Sequence, residues 1–246
     1  MFIHYKTKAF ILKKTERGEA DEVLTVFSRE FGRLEILAKA VRKIASKLRP
    51  GVEIFYLSDI EFIQGKTYKI LTEAIAIKKF ANIRKSLLKI KAAQKISEVF
   101  DGLVKEQEAD LKIWRLLENS FEILNRLEVK KCKPILVYYH FFWKLVSLLG
   151  YEPELYHCLL CQKKLLPKEL YFYPGEGGII CNFCQKQLKS KKGGALEKLS
   201  PRTIKYIRFI LEKGPGPILR LKIEKEDLKK LKEISDKYYS FVNSKF

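Results

Sequence analysis

Residues 52–77 read VEIFYLSDIEFIQGKTYKILTEAIAI. Val52 to Ile63 is long and rich in β-branched and aromatic side chains, Gly65-Lys66 supplies a turn, and Tyr68 to Ile77 runs back, so the stretch predicts a β-hairpin. Upstream, Ala9 to Leu12 is an apolar run around Ile11, and Glu16 to Asp21 is a polar turn carrying Gly18. Val23 to Phe27 makes a second strand, Phe31-Gly32-Arg33 a turn, and Leu34 to Ala38 a third strand, with Leu34, Ile36 and Ala38 alternating against Glu35 and Leu37. Five strands in about eighty residues, with one loop-rich segment between the third and fourth, suit a small closed or nearly closed barrel. The OB-fold is the commonest such barrel that binds oligonucleotides.

After Phe80 the apolar spacing changes to three and four. Ile83, Leu87, Leu88, Ile90, Ala93 and Ile96 predict one helix, and Leu111 to Leu127 a second, marked by Trp114, Leu117, Phe121 and Leu124. Pro134 opens a third helix that runs through Trp143 to Leu149 and stops at Gly150. Ser200-Pro201 caps a further helix, Arg202 to Leu211; Gly214 to Pro217 reads as a rigid turn, and the last segment as helix. The expected class is α+β and multidomain: an OB-type barrel over 1–80, a helical domain over 81–150 plus 196–246, and an inserted module over 151–195.

That module carries Cys158-x2-Cys161, a gap of nineteen residues, and Cys181-x2-Cys184. Each pair turns two thiolates toward one point, and two pairs supply the four soft ligands of a tetrahedral zinc. Four thiolates leave no open position for water, so the expected role is structural. A metal-free remnant is a second reading and paired disulfides a third. The opening MFIHYKTKAF has no signal peptide to send the chain to an oxidising compartment. His157 abuts Cys158 and reads as a surface neighbour, although it has ligand chemistry. Cys132 stands alone between Lys131 and Lys133 and reads as an inert thiol.

The net charge is +20, from 49 basic and 29 acidic residues, and every region is basic. Hydrophobic residues make up 47% of the chain, and no apolar run reaches the roughly 18 residues of a membrane span. A soluble, cytoplasmic protein that binds a polyanion, most simply nucleic acid, is expected; solubility charge in a Lys/Glu-rich protein is the plainer alternative. Lys39, Arg42, Lys43, Lys47 and Arg49 form an acid-free run between the third and fourth strands, at one end of the barrel. Backbone phosphates need only such cations at their own spacing. A second acid-free run spans Lys78 to Lys95 on the first helix, where Arg84, Lys85, Lys89 and Lys91 are the candidate contacts. Lys186, Lys189, Lys191 and Lys192 form a third. Aromatics on the strands (Phe27, Phe55, Tyr56, Phe62, Tyr68) mostly fill the barrel core; Tyr56 and Tyr68 are the candidates for stacking on bases. Tyr138 to Trp143 reads as helix core, with a peptide-accepting groove as the other option.

Catalytic constellations are scarce. The three histidines, His4, His140 and His157, are scattered. Gly65-Lys66-Thr67 lacks the earlier glycine of a phosphate-binding loop, since position 60 is Ile60, and it lies between strands. Gly175-Glu176-Gly177-Gly178 precedes a cysteine pair, not a helix, and reads as a tight loop. A nuclease or RNA modifier is the competing class. It needs clustered carboxylates or a base near a nucleophile, and neither is evident; a pure protein-binding adaptor is a third class.

The order of elements, over nearly the whole chain, resembles the RecO family of bacterial recombination mediators. The resemblance rests on Gly18-Glu19-Ala20-Asp21, on Leu24 to Gly32, on Ser46-Lys47-Leu48-Arg49-Pro50, and most specifically on Leu149-Gly150-Tyr151-Glu152-Pro153 and Gly177-Gly178-Ile179-Ile180-Cys181. One departure is Lys39-Ala40-Val41, where the family usually shows a Lys-Gly-Ala turn. The resemblance implies an OB-fold, a helical domain with an inserted zinc module, and no enzymatic activity. It implies binding of single- and double-stranded DNA, annealing of complementary strands, and help in loading recombinase onto coated single strands. The partners it implies are RecR, the C-terminal tail of single-strand binding protein, and sometimes RecF.

Overall fold

The computed structural model describes residues 3–105, 108–130, 132–167, 169–189 and 196–245, the side chain of Lys189 excepted. Lys131, Lys191 and Lys192 lie outside the described residues, as does the Lys189 side chain. The chain forms two compact units, Met1–Glu128 and Val129–Phe246.

In the first unit, β1 (His4–Arg17), β2 (Asp21–Ser28), β3 (Gly32–Ala38), β4 (Leu57–Gln64) and β5 (Lys69–Lys78) close a barrel in the order β1-β2-β3-β5-β4. β1 is long enough to pair with β4 along its first half and β2 along its second, with a bulge between Ile11 and Lys13. Closure comes from a short parallel seam, Ile36 beside Lys69 and Leu37 beside Ile70. This is the five-stranded OB-type barrel. Its interior is filled by alternating residues (Ala9 and Ile11, Leu24 and Val26, Leu34 and Ile36, Ile60 and Phe62), with Val41 and Val52 over one end.

The outer face of β1 and β2 is buried too, which is why Phe10 and Phe27 interrupt the in–out alternation. Helices α1 (Ala81–Arg84), α2 (Leu87–Leu103) and α3 (Leu111–Arg126) belong to the same compact unit. Phe10 meets Trp114 and Phe121 at 4.9 and 5.6 Å between ring centres, Phe27 meets Phe100 at 4.7 Å, and Phe55 meets Phe121 at 5.7 Å. Phe27 and Phe55 therefore join barrel to helices and do not fill the barrel. Asp101 of α2 adds a charged latch, accepting from Arg33 of β3 at 2.8 Å and Lys13 of β1 at 3.0 Å.

Four boundaries differ from the sequence expectation. β1 runs His4–Arg17, past the expected Ala9 to Leu12 at both ends and into the expected turn at Glu16. Val52 to Tyr56 is not strand: a 3-10 turn over Arg49–Gly51 leads into a loop in which Phe55 adopts φ +69°, and β4 starts at Leu57. The first helix is two, because Lys85 and Ser86 break it between α1 and α2. Gly214 to Pro217 is not only a turn, since α7 spans Pro215–Leu219.

The second unit is built on α4 (Ile135–Leu148). Tyr138 through Trp143 are all buried, so this helix is core and presents no peptide groove there. Around it lie α6 (Pro201–Glu212), α7 and α8 (Lys225–Asn243); Trp143 stacks on Tyr238 of α8 at 5.3 Å. Ser200 caps α6 as expected, accepting from Thr203 N–H at 3.1 Å. A three-stranded sheet, order β7-β6-β8, completes the unit: β6 (Leu170–Tyr173), β7 (Gly178–Cys181) and β8 (Glu197–Leu199), with α5 (Asn182–Lys189) following β7.

Candidate metal centre and nucleic-acid interface

Cys158 and Cys161 lie on a turn, Cys181 ends β7, and Cys184 is in the first turn of α5. The first turn closes through Gln162 N–H to the Cys158 carbonyl at 2.9 Å, with Gln162 at φ +57°. The two knuckles meet because Leu159 N–H donates to Ile179 O at 2.9 Å and Ile179 N–H to Glu154 O at 3.0 Å. That approach needs Gly178, where an added Cβ would stand 2.8 Å from the Glu154 carbonyl and 2.9 Å from Leu159. Gly177 turns the chain there at φ +69°. The glycine pair is the loop that the sequence suggested, and its purpose is close contact between knuckles.

All four sulfurs lie within 4.8 Å of one another, and Cys161 and Cys181 are 3.9 Å apart. Tetrahedral ligands at about 2.3 Å from one ion stand about 3.8 Å apart, so the set fits one divalent ion with soft-ligand preference. None of the five cysteines forms a disulfide. Burial opposes ionisation of Cys158, but N–H groups of Cys161, Cys181 and Leu160 point to its sulfur and bring its pKa down to about 7. Burial and the neighbouring sulfurs push Cys184 up. Four thiolates packed this closely repel one another, so full deprotonation of the cluster needs a cation. His157 is exposed, 3.7 Å from Glu154, and outside the group of four.

On the first unit, Lys39, Arg42, Lys43, Lys47 and Arg49 are all exposed on the β3–β4 loop. Among the described residues only Arg42 of these five has a carboxylate partner, Glu16 at 3.1 Å. The loop is braced by the β1–β2 turn: Ala40 N–H donates to Asp21 Oδ1 at 2.7 Å, and Arg42 N–H to Ala20 O at 3.0 Å. The stretch Gly18 to Asp21 therefore positions the cations without contributing one.

The second cluster divides. Lys85 and Lys91 are exposed, and no carboxylate pairs with them among the described residues. Arg84 is exposed but engaged, stacked on Tyr56 at 4.8 Å and donating to the Lys79 and Ile54 carbonyls. Lys78 sits between Glu118 and Glu122, which α3 brings from forty residues away. Lys89 is a correction: it is 5% exposed, its Nζ donates to Asn125 O at 3.2 Å, and burial lowers its pKa. It anchors α2 to α3 and belongs to no surface. Both candidate stacking tyrosines already carry a guanidinium, Arg84 on Tyr56 and Arg17 on Tyr68 at 4.4 Å. Sequence reasoning missed Arg17 and Asp21 because their roles arise where separate strand turns converge. No helix of the described residues is long and apolar enough to cross a membrane.

Residues 1–80 match the family described as Recombination protein O N terminal, and residues 84–242 that described as Recombination protein O C terminal. The chain is 35% identical over 228 residues to a DNA repair protein RecO of Dehalococcoides mccartyi, covering 92% of this chain and 86% of the relative. To the DNA repair protein RecO of Caldanaerobacter subterraneus it is 30% identical over 207 residues, covering 84% and 80%. To that of a Thermoanaerobacter species it is 27% identical over 250 residues, covering 97% of each chain. With both halves matched, and the barrel and cysteine cluster in place, the chain belongs to the RecO family.

Proposed function

We propose that this protein acts in DNA repair as a recombination mediator that holds DNA strands and breaks no bonds. The observation that carries this reading is the braced, exposed β3–β4 loop, where Lys39, Lys43, Lys47 and Arg49 stand without carboxylate partners among the described residues. Cations so placed are available to phosphates, and each phosphate neutralised releases counterions. Lys85, between α1 and α2, and Lys91 on α2 add two further exposed cations. Two strands neutralised on one surface repel less and meet at raised local concentration, which is annealing without catalysis. The names of the relatives, DNA repair proteins RecO, support the same role.

In the second unit, Cys158, Cys161, Cys181 and Cys184 would hold one zinc ion in a closed, structural shell. Zinc bound there supplies folding energy and no open coordination position. The residues themselves hold the two knuckles together, through Gly178 and the Leu159–Ile179 pairing. RecR, the C-terminal tail of single-strand binding protein and RecF are the partners this reading assigns, with recombinase loading in the cytoplasm, at the nucleoid, as the outcome. The barrel with α1 to α3 packed on it, and the second unit with its cysteine module (151–195), then divide the work into strand holding and partner contact.

The test is annealing of complementary oligonucleotides by purified protein without nucleotide or magnesium, beside a nuclease assay on the same substrates. Accelerated annealing with intact product is expected. Strand cleavage, or a metal-dependent change of product, points to a nucleic-acid-processing enzyme instead; no annealing and no binding points to an adaptor.

A further inference from the structure

We infer that the cysteine centre is a peroxide-sensitive switch: oxidation joins Cys161 to Cys181 across the two knuckles and frees the ion, while Cys158 and Cys184 stay reduced. The inference rests on the zinc reading above and deepens it. The four sulfurs are not equivalent. Cys158 is 0% exposed and Cys184 4%, both packed with Ile180, whereas Cys161 and Cys181 are only partly buried. An oxidant dissolved in water therefore meets Cys161 and Cys181 first.

These two cysteines belong to different knuckles, yet their sulfurs stand 3.9 Å apart. A disulfide holds its sulfurs about 2 Å apart, so a small side-chain movement closes the gap. Cys158 is tied more firmly, because its sulfur accepts the Cys181 N–H at 3.4 Å and would give up that bond to pair with Cys161. The backbone keeps Cys161 and Cys181 within reach once the ion has gone. Leu159 N–H donates to Ile179 O at 2.9 Å, and each cysteine follows two residues later on its own segment. Ile179 N–H donates to Glu154 O at 3.0 Å, a second tie between the knuckles. Neither tie involves sulfur, so the knuckles stay side by side through the oxidation. That separates a reversible switch from unfolding.

The oxidant is a hydroperoxide, and the step balances. One thiolate attacks a peroxide oxygen, the O–O bond breaks, and a sulfenic acid and a hydroxide result. The other thiolate attacks that sulfur, the S–S bond forms, and a second hydroxide leaves. Two protons turn both hydroxides into water, and the two electrons lost by the sulfurs are those that reduce the peroxide. Cys158 and Cys184 then offer two ligands where a closed shell needs four. Cys184 lies in the first turn of α5, so the same event unpins that helix from the first knuckle. Thiol exchange reverses the bond and restores the four ligands.

The experiment treats the full zinc-loaded chain with hydrogen peroxide and follows zinc release with a chromogenic chelator. Free thiols are then blocked with N-ethylmaleimide in denaturant, and tryptic peptides are mapped by mass spectrometry. Lysines divide the knuckles: Cys158 and Cys161 fall on peptide 145–163, and Cys181 and Cys184 on peptide 169–186. Zinc release is expected together with a link between these two peptides and maleimide on Cys158 and Cys184. Dithiothreitol with added zinc should undo all three, and Cys132→Ser, outside the group of four, should behave as wild type. Bonds confined within either peptide, or sulfinic acids without any link, overturn the switch and leave the zinc reading intact. Zinc retained at a peroxide excess that already oxidises Cys132 overturns it equally. A purified protein that neither holds nor takes up zinc overturns the zinc reading and the switch together.

Discussion

The backbone N–H of Ala40 donates to the Asp21 carboxylate at 2.7 Å, which ties the entrance of the basic loop to the turn between β1 and β2. Ala40 makes that bond with φ +53°, in the left-handed region where a Cβ is unfavourable. The turn forms here without the glycine that the resemblance led one to expect. Ala40→Gly is expected to raise stability by about 0.5–1 kcal/mol, read as a higher urea midpoint with unchanged DNA affinity. A lower midpoint contradicts the strain assigned to Ala40.

Lys89 separates sequence pattern from surface. Buried and bonded to one carbonyl, it is held at the cost of desolvating an ammonium. Lys89→Met keeps the length and removes the charge. It is expected to leave DNA affinity within about twofold and stability within about 1 kcal/mol. A large fall in affinity without a fall in stability restores Lys89 to the interface.

Charge reversal compares the two exposed clusters. Reversal of Lys43 and Lys47 should lower single-strand affinity and flatten its salt dependence, the logarithmic slope falling by roughly 0.7 for each phosphate left without its cation. Arg42 is already paired with Glu16, so its reversal adds less than either lysine. Reversal of Lys85 and Lys91 tests the helical cluster in the same titration. Equal slopes for all variants would leave the loop without a role.

His140 makes the second unit sensitive to acid. It is buried on α4, its Nδ1 has no hydrogen-bond partner among the described residues, and burial, helped by Lys144, lowers its pKa to about 4. The unfolded chain takes up a proton near pH 6.5 while the native ring stays neutral. Stability should therefore be full above pH 6.5 and fall by about 3 kcal/mol on acidification to pH 4. His140→Leu should be flatter over that window in urea unfolding. Parallel curves for both proteins would exclude His140 as the cause.

The cysteine cluster predicts one zinc per chain by elemental analysis, lost in Cys158→Ser. Cys158 and Cys184 are buried among Ile180, Leu159 and Leu165. Losing the ion should therefore cost several kcal/mol and appear as early unfolding of Trp143 fluorescence. A protein of native stability with no metal would make the cluster a remnant.

Alternating apolar residues are enough to read the barrel, because each strand has at least one face in its core. They misplace the start of β4, since Val52 to Tyr56 is apolar for another reason: Val52 closes the barrel end, and Phe55, at positive φ, reaches Phe121. The cysteine spacing announces its own geometry. The helical face does not, because the break at Lys85-Ser86 resets the phase. Leu87 and Leu88 then point outward, 64% and 55% exposed, while Lys89, Ala92, Ala93 and Ile96 turn inward. Partners from distant segments, such as Glu118 and Glu122 on Lys78, leave no local trace in a sequence.

The most direct measurement is the affinity of purified wild-type protein for a single-stranded oligonucleotide as salt is raised from 50 to about 200 mM. Binding is expected to weaken steeply and linearly on logarithmic axes, as counterion release demands. No binding at moderate salt, or an affinity indifferent to it, would contradict a protein whose work is to hold phosphates.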